Sequence, residues 1–405
     1  MSPPLFDEIK RTDSSPGLRT EDSFSFLNRA HGIVWGRIRG LLDDWYAVFP
    51  DEDGDLRRRY RSRDPRQHYA AWWELYLHAL FTALGYELTV HPEIPGHKGH
   101  PDFLAERGSE SFYVEAVTVF SGIVDRSRRG ALEAAVLDAM DTVDASHFMV
   151  RIAFERVGQS MPTTSSIVDP IEAWLATLDV DKMLATYPGG YSPVKKRIAF
   201  GDWEVELKPI ARSAKYRGCP ENRLIGIGPV SAGYTSDVQQ IRRAVTRKKK
   251  QLGTPDKPLV VAALAPGGTV DNWVIENVLF GSEAVRIGPG DATSIGRSPD
   301  GVWIGKRSPA TKRMSALLIG VGIVPNTCAR AWPSLWHHFD PTYALDADLP
   351  FSSTRVVEER LVVEDAKRSA AEVLGLPADW PGPEPAFPRC QHRPEDHAAS
   401  LDGSA

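Results

Sequence analysis

Residues 99–117 read GHPDFLAERGSESFYVEAV, a pattern typical of two short strands joined by a tight turn. The dipeptide Gly108-Ser109 fits a two-residue type II′ turn, which prefers glycine at its first central position. This turn sets the register of the hairpin and places Phe103 opposite Val114. The apolar residues of both strands then share one face, as expected of a hairpin that packs against a core.

The same register brings two acidic residues together on the other face of the hairpin. Asp102 lies directly opposite Glu115, and directly opposed Cβ atoms are about 4.5–5.5 Å apart. Two carboxylates at that separation repel each other unless a proton or a cation lies between them. Mg²⁺ binds carboxylate oxygens readily, commonly one or two of them together with substrate phosphate. The alternative is a surface hairpin in which both acids are solvated.

An amphipathic helix is predicted over residues 65–84, just before this hairpin. Its apolar positions recur at helical spacing: Tyr69, Trp72, Trp73, Tyr76, Leu77, Leu80, Phe81 and Leu84. Trp73 lies near the centre of this stripe, and Glu74 falls on its margin, about 100° away. A glutamate at such a margin is usually solvated, but here it could also lean toward the two acids.

The acidic residues occur in a particular order: Glu74 on a helix, Pro101-Asp102 opening a strand, and Glu115 on the next strand. Over about residues 65–120 this order resembles the PD-(D/E)XK superfamily of nucleases, also called restriction-endonuclease-like. The resemblance implies an α/β fold with a mixed central sheet flanked by helices, here with an N-terminal helical cap and a C-terminal extension. It further implies that Asp102, Glu115 and Glu74 bind Mg²⁺ or Mn²⁺.

One position departs from the family pattern, because the lysine expected two residues after the second acid is Val117 here. Either the site is inactive or a lysine comes from elsewhere in the chain. Ser236 opens an S-x-x-Q capping-box pattern, which predicts a helix that runs to Gly253. On this helix Lys248 lies about 35° from the centre of the apolar face, whereas Arg247 points away. Lys248 is therefore the basic residue aimed most nearly inward.

An inward lysine needs a carboxylate or a metal-bound phosphate as its partner. The alternative is that Lys248 extends along the helix and keeps its ammonium in water. The apolar residues 258–264 predict a buried strand, so helix and strand together resemble the closing αβ unit of the nuclease core. On that interpretation residues 121–235 are an insertion. A second interpretation closes the core with helix 130–142 and strand 147–155, and the sequence leaves both open.

Six arginines occur in residues 56–66, directly before the Glu74 helix. A basic run of this kind is usually a solvated helix face, but near the acids it would follow a phosphate backbone. The second interpretation predicts a nucleic-acid-binding group made of Arg57, Arg58, Arg59, Arg61 and Arg63.

The length of 405 residues predicts two to three domains, with one enlarged α/β domain as the alternative. We expect a helical cap over 1–64, a nuclease-like core over 65–290 with the insertion, an extension over 291–376 and a disordered tail over 377–405. Further helices are predicted over 25–49 and 355–374.

Composition excludes several classes of protein. Three widely spaced cysteines (Cys219, Cys328 and Cys390) indicate neither a disulfide scaffold nor a zinc site, and no secretory signal precedes them, which favours the cytoplasm. The longest apolar run is too short to cross a bilayer.

Residues 341–405 carry six basic and twelve acidic residues, so the rest of the chain is nearly neutral. Any contact with phosphate must therefore come from local basic patches.

The resemblance implies a metal-dependent nuclease that acts on DNA, in which Lys248 stabilises the transition state or orients the attacking water. The alternative is an inactive relative that serves as a nucleic-acid-binding or assembly module, and a homo-oligomer is compatible with either. A third hypothesis places an enzyme site in the Trp- and His-rich residues 332–340, although aromatic residues at that spacing are usually core.

Overall fold

The computed structural model describes residues 3–96, 99–120, 128–218, 223–227, 234–251, 255–267, 270–287, 293–304 and 312–383. In these residues the chain is a mixed α/β protein with a large mixed sheet flanked by helices. It divides into two compact units. The first takes its described residues from 1–13, 22–124 and 233–386, and the second from 14–21 and 125–232.

The helices, in chain order, are α1 (Ser23–Arg29), α2 (Ile33–Ala47), α3 (Asp55–Tyr60), α4 (Pro65–Ala83), α5 (Arg128–Met140), α6 (Thr164–Leu175), α7 (Val180–Thr186), α8 (Tyr234–Gln251), α9 (Asn272–Phe280) and α10 (Ala370–Leu374). The strands are β1 (Glu87–Val90), β2 (Phe103–Arg107), β3 (Glu110–Thr118), β4 (Phe148–Arg156), β5 (Lys196–Phe200), β6 (Trp203–Ala211), β7 (Ile225–Ile227), β8 (Leu259–Ala265), β9 (Glu283–Ile287), β10 (Thr293–Arg297), β11 (Ala316–Val321), β12 (Ser334–His337), β13 (Ser352–Val357) and β14 (Arg360–Glu364).

The first unit contains an eight-stranded sheet in the order β1-β2-β3-β8-β11-β12-β13-β14. Strands β3, β8 and β11 run parallel to one another in its middle. Every residue of β8 is buried, as expected of a strand covered on both faces. This apolar centre positions the hairpin of β2 and β3 at one side of the sheet.

The predicted register of that hairpin is confirmed. Phe103 pairs with Val114, and the other pairs of β2 and β3 follow the same register. Gly108 has a φ of 59°, which the first central position of a type II′ turn requires. Asp102 directly precedes the first paired residue, so it lies beside Glu115 as the pattern indicated.

The sheet distinguishes the two ways of closing the core. β8 pairs in parallel with β3, and Glu115 lies beside Val261. The interpretation that used helix 130–142 and strand 147–155 is wrong, because β4 pairs with β6 and β7 in a separate four-stranded sheet. That second sheet, in the order β5-β6-β4-β7, has its own hydrophobic core in the second unit. Most of residues 121–235, which lie between β3 and α8 in the sequence, thus belong to a separate compact unit.

The N-terminal residues do not form the separate cap that the sequence suggested. The predicted helix over 25–49 is two helices, because Gly32 adopts a φ of 130° before α2 begins. The predicted helix over 65–84 is confirmed as α4, which is capped by Asp64 and has Pro65 in its first turn. α2 and α3 pack against α4, so this region belongs to the first unit.

The C-terminal half differs more from the prediction. The helix expected over 355–374 is wrong in its first half, because residues 355–364 belong to the antiparallel hairpin of β13 and β14, and only Ala370–Leu374 at its end is helical. Its loop residues Glu358 and Glu359 both have positive φ, as a type I′ turn requires. The β-branched valines on either side favour strands over a helix. β11 to β14 continue the main sheet, so residues 291–376 are not a separate extension.

Trp336 and His337 on β12 are buried, which agrees with the interpretation of residues 332–340 as core. Cys328 is buried, whereas Cys219, Cys390 and residues 384–405 lie outside the described residues. Among the described helices, none is both long and apolar enough to cross a membrane.

Candidate active site

The candidate site lies where the β2–β3 hairpin meets α8. Glu115 is in the middle of β3, and its side chain is buried. Asp102 is held next to it, because its Oδ2 accepts a hydrogen bond from the backbone N–H of Ala116 at 2.6 Å. The opposed pair predicted from the turn is therefore fixed by a bond between the strands.

Lys248 reaches this pair from α8. Its Nζ lies 2.6 Å from Oε1 of Glu115, so the lysine that the helical pattern aimed inward has a carboxylate partner. The other oxygen of Glu115, Oε2, is buried and has no hydrogen-bond partner in the described part of the chain. Val117, at the position of the family lysine, is a buried apolar side chain on the wall of the adjoining cavity.

The acids and the lysine shift one another's pKa. Burial raises the pKa of Asp102 well above its ordinary value, and the negative charges of Glu115 and Glu74 add to the rise. Burial also raises the pKa of Glu115, although Lys248 partly offsets the effect. Burial alone would lower the pKa of Lys248, but Glu115 and Asp102 outweigh it and raise the value. The lysine is thus kept charged beside a carboxylate pair that favours an added proton or cation.

Glu74, the third predicted acid, has a different partner. It is buried on α4 and receives two hydrogen bonds from Arg59, at 2.8 Å to Oε1 and 2.6 Å to Oε2. Arg59 also donates to Asp55 at 2.6 Å, and the two acids raise its pKa despite its burial. This bidentate pair neutralises Glu74 close to the site.

The predicted arginine group is mostly engaged within the protein. Arg57 donates to the carbonyl of Pro4, Arg58 pairs with Asp55, and Arg61 pairs with Asp7 at 2.7 Å. Arg63 is exposed. With Arg59 bound to Glu74, four of the five arginines already have intramolecular partners, and their binding to nucleic acid stays a prediction.

A cavity of about 620 Å³ adjoins the site and has a basic wall. Arg66, Arg243, Arg247 and Lys248 line it together with Glu74. Other lining residues come from the end of β3, from the segment after it and from α8: Ala116, Val117, Thr118, Val119, Phe120, Gln240 and Ala244. Four basic residues therefore give the cavity a positively charged wall beside the acids.

Part of this wall was not predicted from the sequence. Arg247 was expected to point away from the site, but it lines the cavity. The cavity borders the margin of the α8 apolar face rather than its centre, so residues beside Lys248 also reach it. Gln240, Arg243 and Arg247 recur at intervals of three and four residues, and this spacing places them on one side of a helix. Because Arg243 and Arg247 are four residues apart on the helix, placing either of them at the cavity would have indicated the other.

The carboxylates fit a divalent cation only in part. No group of three or more His, Cys, Asp or Glu residues in the described part of the chain is arranged to hold a metal. Asp102 and Glu115 nevertheless provide two adjacent carboxylates, and the unpartnered Oε2 of Glu115 is a free ligand atom. Two carboxylates suit Mg²⁺, which completes its shell with water and substrate phosphate. Glu74 would be unable to join them directly while Arg59 occupies both of its oxygens.

No protein-family model matches this chain, and no curated protein or solved structure matches it either. The chemistry of Asp102, Glu115 and Lys248, with the basic residues around them, is therefore what indicates a function.

Proposed function

We propose that this protein is a metal-dependent nuclease that hydrolyses phosphodiester bonds in DNA, with a divergent restriction-endonuclease-like core. One observation carries the proposal: Lys248, from a distant helix, lies 2.6 Å from Glu115 in a site where Asp102 is the neighbouring acid. A buried carboxylate pair with one charged lysine beside a basic cavity suits a reaction in which negative charge develops on a phosphate.

Asp102 and Glu115 would hold Mg²⁺ or Mn²⁺ in this proposal. A bound divalent ion supplies Lewis-acid polarisation of the scissile phosphate and favours ionisation of the attacking water. Lys248 keeps its proton, because the acids raise its pKa. Its ammonium can donate to a phosphate oxygen or orient the attacking water. This is the role of the family lysine, whose position is occupied by Val117 in this chain.

The cavity would receive the substrate strand. Its volume of about 620 Å³ lies within the range of small-molecule sites. Arg66, Arg243 and Arg247 would neutralise the phosphates on either side of the scissile bond. Phe120, partly exposed on the same wall, offers a ring on which a base can stack.

Replacing Glu115 by Gln tests the nuclease proposal. The change removes one charge from the carboxylate pair while keeping the size of the side chain. Cleavage of plasmid DNA in Mg²⁺ should fall by about a hundredfold or more, the range seen when a group that stabilises a transition state is removed. The matched control is Glu106→Gln, which changes an exposed glutamate on the same hairpin and should leave cleavage unchanged. Full activity in the Glu115 variant would reject this site.

A second candidate is supported by the ion pairs themselves. Lys248 pairs with Glu115 and Arg59 pairs with Glu74, so two of the three acids are neutralised by the protein's own cations. Such a site suits an inactive relative of the nucleases that binds nucleic acid or assembles with other proteins.

Calorimetric titration with Mn²⁺ separates the two candidate functions. The nuclease should bind the ion through Asp102 and Glu115, whereas the inactive relative should bind DNA equally well with and without the ion and not cleave it.

A further inference from the structure

β14 forms one edge of the eight-stranded sheet, and no other strand in the described part of the chain pairs with its outer side. All five of its residues are exposed. Its central residues are apolar: Leu361, Val362 and Val363 are 38%, 43% and 60% exposed. Edge strands are usually protected by an inward charge, a proline or a bulge, and the middle of β14 has none of these.

The hairpin loop determines which backbone groups of β14 face outward. Val357 and Arg360 close the two-residue loop, so they form a hydrogen-bonded pair across the hairpin. Hydrogen-bonded and non-hydrogen-bonded pairs alternate along antiparallel strands. The N–H and C=O groups of Leu361 and Val363 therefore point away from β13 and are available to another strand.

The sequence of β14, Arg-Leu-Val-Val-Glu, is complementary to itself in the antiparallel direction. With Val362 opposite Val362 of a second copy, Arg360 lies opposite Glu364 on both sides of the centre. Leu361 then pairs with Val363 of the second copy through the outward backbone groups. Directly opposed opposite charges stabilise a strand pair, and an apolar centre adds packing.

We propose that β14 pairs with β14 of a second copy of this chain, around a two-fold axis at Val362. The two eight-stranded sheets then continue into one another across the dimer, an isologous interface in which the same strand serves both sides. The charge pattern specifies a second copy rather than an unrelated strand, because Arg360 and Glu364 satisfy each other only in this register.

The interface consists of one five-residue strand from each copy, so the dimer is expected to be weak. The pairing provides about four backbone hydrogen bonds. Just outside the strand, the same register brings Glu359 near Asp365 of the second copy, and these like charges oppose association. Dimerisation should therefore depend on protein concentration and on salt.

Sedimentation velocity at increasing concentrations of the full chain tests the proposal. Wild type should shift from monomer toward dimer. Arg360→Glu and Glu364→Arg each place two pairs of like charges in the interface and should weaken the dimer by at least about tenfold. The double variant that carries both changes restores two opposite-charge pairs and should dimerise like wild type. Arg368→Glu, an exposed charge reversal beyond the strand, is the matched control and should have no effect.

Mixing the two single variants gives the sharpest result. Arg360→Glu makes both ends of β14 acidic and Glu364→Arg makes both ends basic, so each variant should be monomeric alone. In the mixed dimer opposite charges meet at both positions, and the dimer should form. A monomeric wild type, or a double variant that fails to recover, would overturn the proposal. Circular dichroism of each variant establishes that it is folded. β14 lies five strands away from β3 in the sheet order, so these outcomes are independent of the proposed nuclease activity.

Discussion

At the scale of single residues, the ion pair between Glu115 and Lys248 is the interaction in the candidate site that bears most on stability. Glu115 is 3% exposed, and only Lys248 offsets its charge directly among the described residues. The two side chains come from different elements, so their ion pair links β3 to α8. A buried charge that loses its only partner is strongly destabilising, whereas neutralising both partners costs much less.

Lys248→Met should therefore lower the free energy of unfolding by about 3 kcal/mol, because Glu115 is left buried without a cation. The double variant Lys248→Met with Glu115→Gln should recover about half of that loss, since no buried charge then lacks a partner at this position. Urea unfolding at neutral pH measures both. Lys257→Met, a change of the same kind on the loop before β8, is the control and should have little effect. Equal losses in the single and double variants would mean that the ion pair contributes nothing.

At the scale of elements, α8 combines two functions that the sequence did not separate. One side packs in the core through Val238, Ile241 and Val245, and the adjoining side lines the cavity with Arg243 and Arg247. α3 is also rich in arginine, but its arginines have intramolecular partners. We therefore expect the arginines of α8 to contact DNA and those of α3 not to.

Arg243→Gln with Arg247→Gln should weaken DNA binding and reduce its dependence on salt. Each lost phosphate contact lowers the slope of log affinity against log salt concentration by about 0.9, so the double variant should lose almost two. Fluorescence anisotropy with a labelled duplex at several salt concentrations measures the slope. The matched variant Arg57→Gln with Arg58→Gln should keep the wild-type slope. The reverse result would assign binding to α3, as the arginine run suggested.

α4 contributes a histidine that makes stability depend on pH. His78 is buried between the rings of Phe49 and Phe103, with ring centroids 4.9 and 6.2 Å away. Burial lowers the pKa of His78 to about 4. The unfolded chain takes up a proton near pH 6.5, earlier than the folded one as the pH falls. The free energy of unfolding should therefore fall between about pH 6.5 and pH 4.

His78→Phe removes this titration while keeping an aromatic ring. The variant should lose less stability than wild type on acidification, by up to about 3 kcal/mol at pH 4. Urea unfolding at pH 7 and pH 4 measures the difference. Some pH dependence will persist, because burial also lowers the pKa of His337 to about 4. His31→Phe, at an exposed position, should behave like wild type. Parallel pH profiles for wild type and His78→Phe would contradict the assignment.

At the scale of the whole molecule, the chain folds as two units with separate hydrophobic cores. Leu207 on β6 and Leu317 on β11 are both fully buried, one in each core. A protein with two cores need not unfold in a single transition. The same substitution at these two positions therefore tests whether the units are thermodynamically separate.

Leu207→Ala and Leu317→Ala should each destabilise one unit by about 2–5 kcal/mol. Differential scanning calorimetry should resolve two transitions in wild type, and each variant should shift a different one to lower temperature. The two substitutions are chemically identical and serve as controls for each other. A single transition shifted equally by both variants would mean that the units unfold together.

Local sequence patterns predicted the structural features that depend on residues close together in the chain. The turn at Gly108 specified the register of the hairpin, and helical spacing indicated both α4 and the inward direction of Lys248. Long-range partners were not predictable in this way: no local pattern links Arg59 to Glu74, and the two ways of closing the core were equally consistent with the sequence. The helix predicted over 355–374 is wrong at β14, whose consecutive valines favour a strand.

The position of the second unit in the chain has a consequence for biosynthesis. Glu115 and Lys248 are about 130 residues apart, and a contact between residues so distant forms late, because the long loop between them must close first. On the ribosome the acidic hairpin emerges well before its lysine, since residues 125–232, which form most of the second unit, are synthesised between them. The catalytic constellation proposed here is therefore assembled only after α8 has been translated, and shorter nascent chains carry the acids without the lysine.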